Sequence, residues 1–316
     1  MPIANAPFSA ASRRVSGGTS TSKTAIVLAH FGTTVSSGLK SITAISEAVR
    51  QAYPDIEARI TFTSNVVRAI WHERRNEAEK WLDQGVPPEI LSVKNIIQTL
   101  GDLSEEGYRD IIVQPSHIFH MEESRDLENY VAAIGSIETT QARWRPFNRI
   151  VLGRPALGTS DDFNDYYRDV AKAAVALAPD VAAAHEMGAA LLYMGHGNKN
   201  WPSGIYAVIE KMMREKYPHT KTYIGVTEGL PSLDEVMARM TGDGVGKVYL
   251  KPFLVTAGGH ANKDMAGDDQ HSWLSVLQSH GFTVRPILAG LGENPEFARI
   301  FVEHIADAAA SQGIAL

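Results

Sequence analysis

Two histidines and a glutamate stand out in a chain of 316 residues that contains no cysteine. Without thiolates, any metal or nucleophilic chemistry falls to imidazoles, carboxylates and hydroxyls. His196 lies between two glycines in Gly195-His196-Gly197, directly after the apolar run Leu191-Leu-Tyr-Met194. Glu228 follows Ile224-Gly-Val-Thr227, and His260 closes Thr256-Ala-Gly-Gly-His260. Each residue comes just after a segment that reads as a strand, and open parallel sheets collect ligands at the carboxyl ends of their strands. The neighbouring glycines permit turns closed to other residues and leave each imidazole uncrowded. One histidine after a strand more often braces a loop than binds a ligand, but three such residues in one pattern favour a shared crevice. Two imidazoles and a carboxylate suit a divalent first-row metal such as Co, Ni, Fe or Zn, held with exchangeable positions. No HExxH helix marks a permanently held zinc.

The elements that must position these groups alternate between short apolar runs and amphipathic stretches, as in α/β proteins with parallel sheets. Residues 24–30 (TAIVLAH), 57–63, 110–114 (DIIVQ) and 149–153 (RIVLG) are expected as buried strands. Residues 37–52 carry Leu39, Ile42, Ile45 and Val49 on one helical stripe, stopped by Tyr53-Pro54. The second half repeats the first. Ile26-Val-Leu-Ala-His-Phe-Gly32 matches Leu191-Leu-Tyr-Met-Gly-His-Gly197, and Tyr53-Pro54 matches Tyr217-Pro218. Ile60-Thr-Phe-Thr63, Ile111-Ile-Val-Gln-Pro115 and Leu157-Gly158 recur in order as Ile224-Gly-Val-Thr227, Val248-Tyr-Leu-Lys-Pro252 and Leu291-Gly292. Five ordered matches favour an internal duplication, with an extra stretch near residues 66–100 in the first half. The expected organisation is a disordered tail (1–22), an α/β domain (23–156), a connecting Ala-rich helix (157–186), a second, metal-binding α/β domain (187–292) and a terminal helix (293–316) returning towards the first. Both domains are expected to be Rossmann-like.

The first domain adds His30 at the turn equivalent to His196, then Ser116-His117-Ile-Phe-His120-Met-Glu122-Glu123 after its third strand. His120 and Glu122 are expected to face the interdomain cleft. Composition excludes several functions. Thirty Lys and Arg against 36 Asp and Glu, without blocks of either sign, argue against a nucleic-acid partner. No apolar run approaches the roughly 20 residues of a membrane span. The Gly/Ser-rich first residues lack a secretory apolar segment, so a cytoplasmic location is expected, or a periplasmic one if a signal has been removed. Gly242-Asp-Gly-Val-Gly-Lys247 has the wrong spacing for a phosphate loop, and neither GxGxxG after a strand nor a GxSxG elbow occurs.

The strings Gly195-His-Gly197, TEGLPSLDEV at 227–236 and KPFLVTAGGHANKDMAGDD at 251–269 resemble the anaerobic sirohydrochlorin cobaltochelatases of the CbiK type. These are ATP-independent class II chelatases. The resemblance spans almost all of residues 23–310. It implies insertion of Co2+ into sirohydrochlorin, or its precorrin-2 relative, in anaerobic cobalamin synthesis. His196, His260 and Glu228 then correspond to metal ligands, with His196, Glu228 and Glu122 as the reacting groups. Met121-Glu122-Glu123 stands where the family has Gly-Glu-Glu. Fe2+ or Ni2+ are alternative metals, and iron insertion for sirohaem or haem is the nearest alternative reaction. A non-catalytic haem carrier would use His120 as an axial ligand, and a metal-delivery protein would use the histidine pair alone. Lys199, Arg125 and Lys263 are candidates to hold substrate carboxylates. Association into a homo-oligomer is left open.

Overall fold

The computed structural model describes residues 22–159, 163–199 and 204–316; residues 1–21 of the expected tail lie outside the described residues. The first half forms β1 (Lys23–His30), α1 (Leu39–Ala52), β2 (Glu57–Phe62), α2 (Asn65–Arg74), α3 (Ala78–Asp83), α4 (Pro88–Leu91), α5 (Ile96–Glu105), β3 (Tyr108–Pro115), α6 (Glu122–Gly135) and β4 (Arg149–Leu152). Next come α7 (Phe163–Ala176) and α8 (Ala178–Glu186). The second half forms β5 (Ala190–Gly197), α9 (Gly204–Lys216), β6 (Thr222–Glu228), α10 (Leu233–Gly242), β7 (Lys247–Pro252), α11 (Trp273–Ser279) and β8 (Thr283–Pro286), and α12 (Pro295–Ser311) ends the chain's regular structure.

Two four-stranded parallel sheets result, in the orders β2-β1-β3-β4 and β6-β5-β7-β8. The fold is α/β with two Rossmann-like sheets. The first strand of each half is interior and pairs with the second and third, so Ile26 to Gly32 and Leu191 to Gly197 occupy equivalent places. The correspondence reaches the backbone after them, where Gly32 and Gly197 both take positive φ (95° and 72°).

Both faces of each sheet are covered, which is why the strands read as continuous apolar runs rather than as alternating ones. Ile26 and Leu28 of β1 pack with Val49 of α1 and Ile305 and Ala309 of α12. Ala25, Val27 and Ala29 point the other way, against Ile96, Leu100 and Leu103 of α5 and Leu127 of α6. In β5, Leu191 and Tyr193 face α7 to α9, whereas Leu192 and Met194 face Val236 and Met240 of α10 and Trp273 of α11.

Three features depart from or refine the sequence reading. The extra stretch of the first half folds as α2 to α5 and buries Trp71, Val86 and Ile90 against Leu39 and Ile42. The single Ala-rich connecting helix is two helices. Pro179 lies in the first turn of α8, where its missing N–H is harmless, but its ring cannot be accommodated inside a continuous helix. Of the expected range 157–186, residues 160–162 fall outside the described residues.

The terminal helix α12 leaves the second half and packs on α1 and β3. An ionic cluster ties it to α7. Fully buried Asp169 accepts from the Arg154 guanidinium at 2.5 and 3.1 Å and lies 3.3 Å from Nε2 of buried His304, while Arg154 also reaches Asp307 at 2.8 Å. Burial alone would raise the Asp169 carboxyl, but hydrogen bonds from His304 and Arg154 and their charges outweigh it and hold it at about 2. Because the folded value lies below the ordinary 3.8, the stabilisation is present above about pH 4 and is lost as pH falls towards 2. Asp169→Asn leaves the guanidinium with only half-exposed Asp307 and is expected to cost about 3 kcal/mol in denaturant unfolding at neutral pH. The gap from wild type should close between pH 4 and 2; a gap that persists there would contradict this assignment.

Candidate active site

A cavity of about 510 Å3 opens between the carboxyl ends of the two sheets. The second sheet contributes His196, Glu228 and His260, and the first contributes His30, His117, Glu122 and Glu123. Strand pairing explains how His196 and Glu228 reach one place. Gly197 of β5 is the direct partner of Glu228 on β6. That register is open only to glycine, because a Cβ at residue 197 would come within 1.9 Å of the Glu228 carbonyl oxygen. On the other side of His196, a Cβ at Gly195 would meet the Tyr206 ring at 2.6 Å. Tyr206 in turn accepts the Gly197 N–H at 3.2 Å through its hydroxyl, and burial pushes that hydroxyl up to about 12. His196 is therefore clamped between an aromatic ring and a neighbouring strand.

His260 arrives from the long loop after β7 and immediately precedes a single π turn, Ala261–Met265. Its ring stands edge-to-face with that of His196, centroids 4.7 Å apart and planes at 89°. The hydrogen bonds of the two rings fix their chemistry. His196 Nδ1 lies 2.8 Å from the Gly197 carbonyl oxygen, and His260 Nδ1 lies 2.6 Å from Asp264 Oδ2. A carbonyl and a carboxylate only accept, so each Nδ1 carries the hydrogen and donates it, and each neutral ring keeps its lone pair on Nε2. Hydrogen bonding from Nδ1 to a carboxylate or carbonyl is the arrangement that orients metal-ligating histidines.

Glu228 lines the same cavity, but among the described residues no three or more His, Asp or Glu side chains lie close enough together to hold a metal ion. The expected His196–Glu228–His260 set is thus present as an assembled imidazole pair with a carboxylate nearby, not as a closed triad.

On the first-sheet wall, α6 begins at Glu122, and both Glu122 and Glu123 occupy its first turn, where the helix dipole favours anions. Glu122 is exposed and Glu123 half-buried. His120 does not face this cavity as expected. The turn into α6 directs it to a separate 240 Å3 pocket beside Leu152 and Arg154, where its Nε2 lies 2.7 Å from Glu128 Oε1. An axial haem role at His120 would require breaking that pairing.

The stretch peculiar to the first half braces the cavity floor. Trp71 Nε1 donates to the Thr33 carbonyl at 2.8 Å, and Arg74 donates to the Thr34 carbonyl at 2.6 Å while its guanidinium packs against both the Trp71 and Trp81 rings, 4.5 and 4.1 Å from their centroids. Sequence reasoning missed this brace and also missed Asp264, although its place four residues after His260 is the spacing of neighbours on a helix. Among the described residues, Lys263 is the one Lys or Arg that lines the cavity. Lys199 lines a different cavity, and Arg125 is exposed beside Glu128.

Residues 24–310 match the model of the cobalt chelatase (CbiK) family. The chain belongs to the cobalt chelatase CbiK family. It is 29% identical over 283 residues to the sirohydrochlorin cobaltochelatase CbiKC of Nitratidesulfovibrio vulgaris, covering 90% of this chain and 89% of that one. It is 27% identical over 285 residues to the sirohydrochlorin cobaltochelatase of Salmonella typhimurium, covering 90% and 95%. Among solved structures, SirB from Bacillus subtilis with Fe3+ superposes with a TM-score of 0.59 at 15% identity over 92% of this chain and 98% of SirB, a likeness of fold. Within this family frame the Asp264 bond can be tested alone. Asp264→Asn is expected to weaken Co2+ binding, titrated without tetrapyrrole, by about tenfold; an unchanged affinity would show that the bond does not orient His260.

Proposed function

We propose that this member of the cobalt chelatase family inserts Co2+ into sirohydrochlorin, releasing two protons, as a step of anaerobic cobalamin synthesis. The observation that carries the reading is the His196–His260 pair, 4.7 Å apart with both Nε2 lone pairs available, on the wall of a cleft between two sheets. Co2+ is a substrate here, so the site must release it as well as bind it. Two neutral imidazoles and a mobile carboxylate suit that demand better than a closed cage of charged ligands.

In this reading His196 and His260 take the partly hydrated ion, and Glu228 supplies a third donor once the cation's charge compensates its desolvation. The cleft walls grip a macrocycle and bend it, which exposes nitrogen lone pairs to the metal. Glu122 and its neighbour Glu123, at the mouth of α6, receive the displaced pyrrole protons. Lys263 pairs with a substrate carboxylate. No nucleotide or redox step enters. Imidazole donors also accept Fe2+ and Ni2+, so metal choice is read by competition. We place the division between the two functional halves in α7 and α8, and the site of action in the cytoplasm; no helix among the described residues is long and apolar enough to cross a membrane.

Absorbance spectroscopy with sirohydrochlorin and Co2+ tests the reading. Multiple turnovers are expected from wild type. His196→Ala and His260→Ala should each lower the rate at least about a hundredfold with little change in thermal midpoint, since both lie outside the packed cores. A stoichiometric band shift without turnover would instead identify a tetrapyrrole carrier. Glu228→Gln should weaken Co2+ binding without tetrapyrrole, and Glu122→Gln should keep that binding but slow insertion.

A further inference from the structure

The two imidazoles of the metal pair are held by different parts of the molecule. His196 belongs to the second sheet, at the end of β5, where its carbonyl accepts from Thr227 Oγ1 of β6 at 2.8 Å. His260 lies outside both sheets, on the loop after β7. Strand register therefore fixes one ring, and the seat of the loop fixes the other.

Two sets of contacts seat that loop. Within the second half, the carbonyls of Leu254 and Val255 accept from the N–H groups of Leu291 and Gly292 at 2.8 and 3.0 Å. The other set crosses to the first half. A Cβ at Gly258 would come within 2.9 Å of Thr33 Oγ1, and a Cβ at Gly38 would come within 3.0 Å of the Ala257 carbonyl oxygen. Neither glycine takes a positive φ, so what these positions require is the absence of a side chain. Ala257 and Gly258 are buried, whereas His260 is exposed.

A displacement at Gly258 reaches His260. The Asn262 side chain donates to the carbonyls of Ala257 and Gly258 at 3.1 and 2.8 Å, and the Asn262 N–H donates to the Gly258 carbonyl at 3.1 Å. Residues 257–262 thus form a short clip that encloses His260 and moves as one piece. Thr33 is the fixed side of the contact. It is 3% exposed and β-branched, its Oγ1 accepts from the Val35 N–H at 3.2 Å, and its carbonyl is taken by Trp71.

We propose that Thr33 is a positioning residue for metal capture: through its contact with Gly258 it sets the spacing of His260 from His196. The inference rests on the reading of His260 as a Co2+ ligand. Both imidazole donors then lie in the second half while a side chain of the first half sets their separation, so the bracing of the Thr33 loop by Trp71 and Arg74 belongs to the metal site.

The test titrates Co2+ into the full chain without tetrapyrrole. Gly258→Ala is expected to weaken binding about tenfold in the wild-type background. In a Thr33→Ala background the same change should cost less than about twofold, because the nearest remaining atoms, Thr33 Cβ and Thr256 Oγ1, would lie 3.6 Å from the new Cβ, an ordinary contact. Thr33→Ala alone removes the seat and should weaken binding by a smaller factor than Gly258→Ala. The second readout is the visible d–d band of bound Co2+ at saturation, which reports coordination geometry and not the folded fraction. It should change in Gly258→Ala and return to the wild-type form in the double variant. An equal loss from Gly258→Ala in both backgrounds, or affinity and band unchanged in both single variants, would overturn the proposal. His260→Ala in the same titration separates the two ideas. If it loses Co2+ affinity while the Gly258 and Thr33 changes act independently, this inference fails alone; if it binds as wild type does, the reading of His260 as a ligand fails first and the inference falls with it.

Discussion

Two imidazole rings stay within 4.7 Å of one another, with lone pairs free for a cation, because their other nitrogens are committed to acceptors. Much of the second half serves that arrangement. Gly197, whose carbonyl accepts from His196, takes a positive φ beside the Glu228 backbone, and β5 can approach β6 there only without a side chain at 197. Asp264 accepts from His260 across a single helical turn, which here is a π turn. Such turns are uncommon in regular helices and recur at functional sites. The packed sheet supplies rigidity, and the glycine-rich ends supply the shape.

The duplication gives the two halves one scaffold and different chemistry. At equivalent turns, the second half offers half-buried or exposed rings whose Nδ1 atoms face strict acceptors, and the first half offers buried rings held by hydroxyls. Exposure is what lets a ligand exchange with solvent metal, and burial is what keeps an imidazole neutral against a hydrophobic partner. The additional helices of the first half, with Arg74 packed against Trp71 and Trp81, fix the loop that forms the cavity floor. The return of α12 to the first sheet, fastened to α7 by Arg154, Asp169 and His304, ties the two halves together.

The sheets and the histidine pair were legible in the sequence because their causes are local. Buried parallel strands require apolar runs, and His196 and His260 announce themselves through adjacent glycines. What escaped depends on contacts made in three dimensions. The break between α7 and α8 turns on a single proline in an otherwise Ala-rich stretch. His120 and His117 are three residues apart, yet the turn into α6 sends them to different pockets, which spacing alone does not reveal. Strand order brings Glu228 to the cavity, but how near its carboxylate lies to the imidazole pair is a matter of side-chain placement that no motif encodes.

The account stands on shared coordination of one ion by His196 and His260. X-ray absorption spectroscopy of the Co2+-loaded chain, without tetrapyrrole, counts imidazole ligands directly. Two imidazoles are predicted for wild type, one for each of His196→Ala and His260→Ala, and none for the double variant. An imidazole count that stays the same in all four proteins would contradict it.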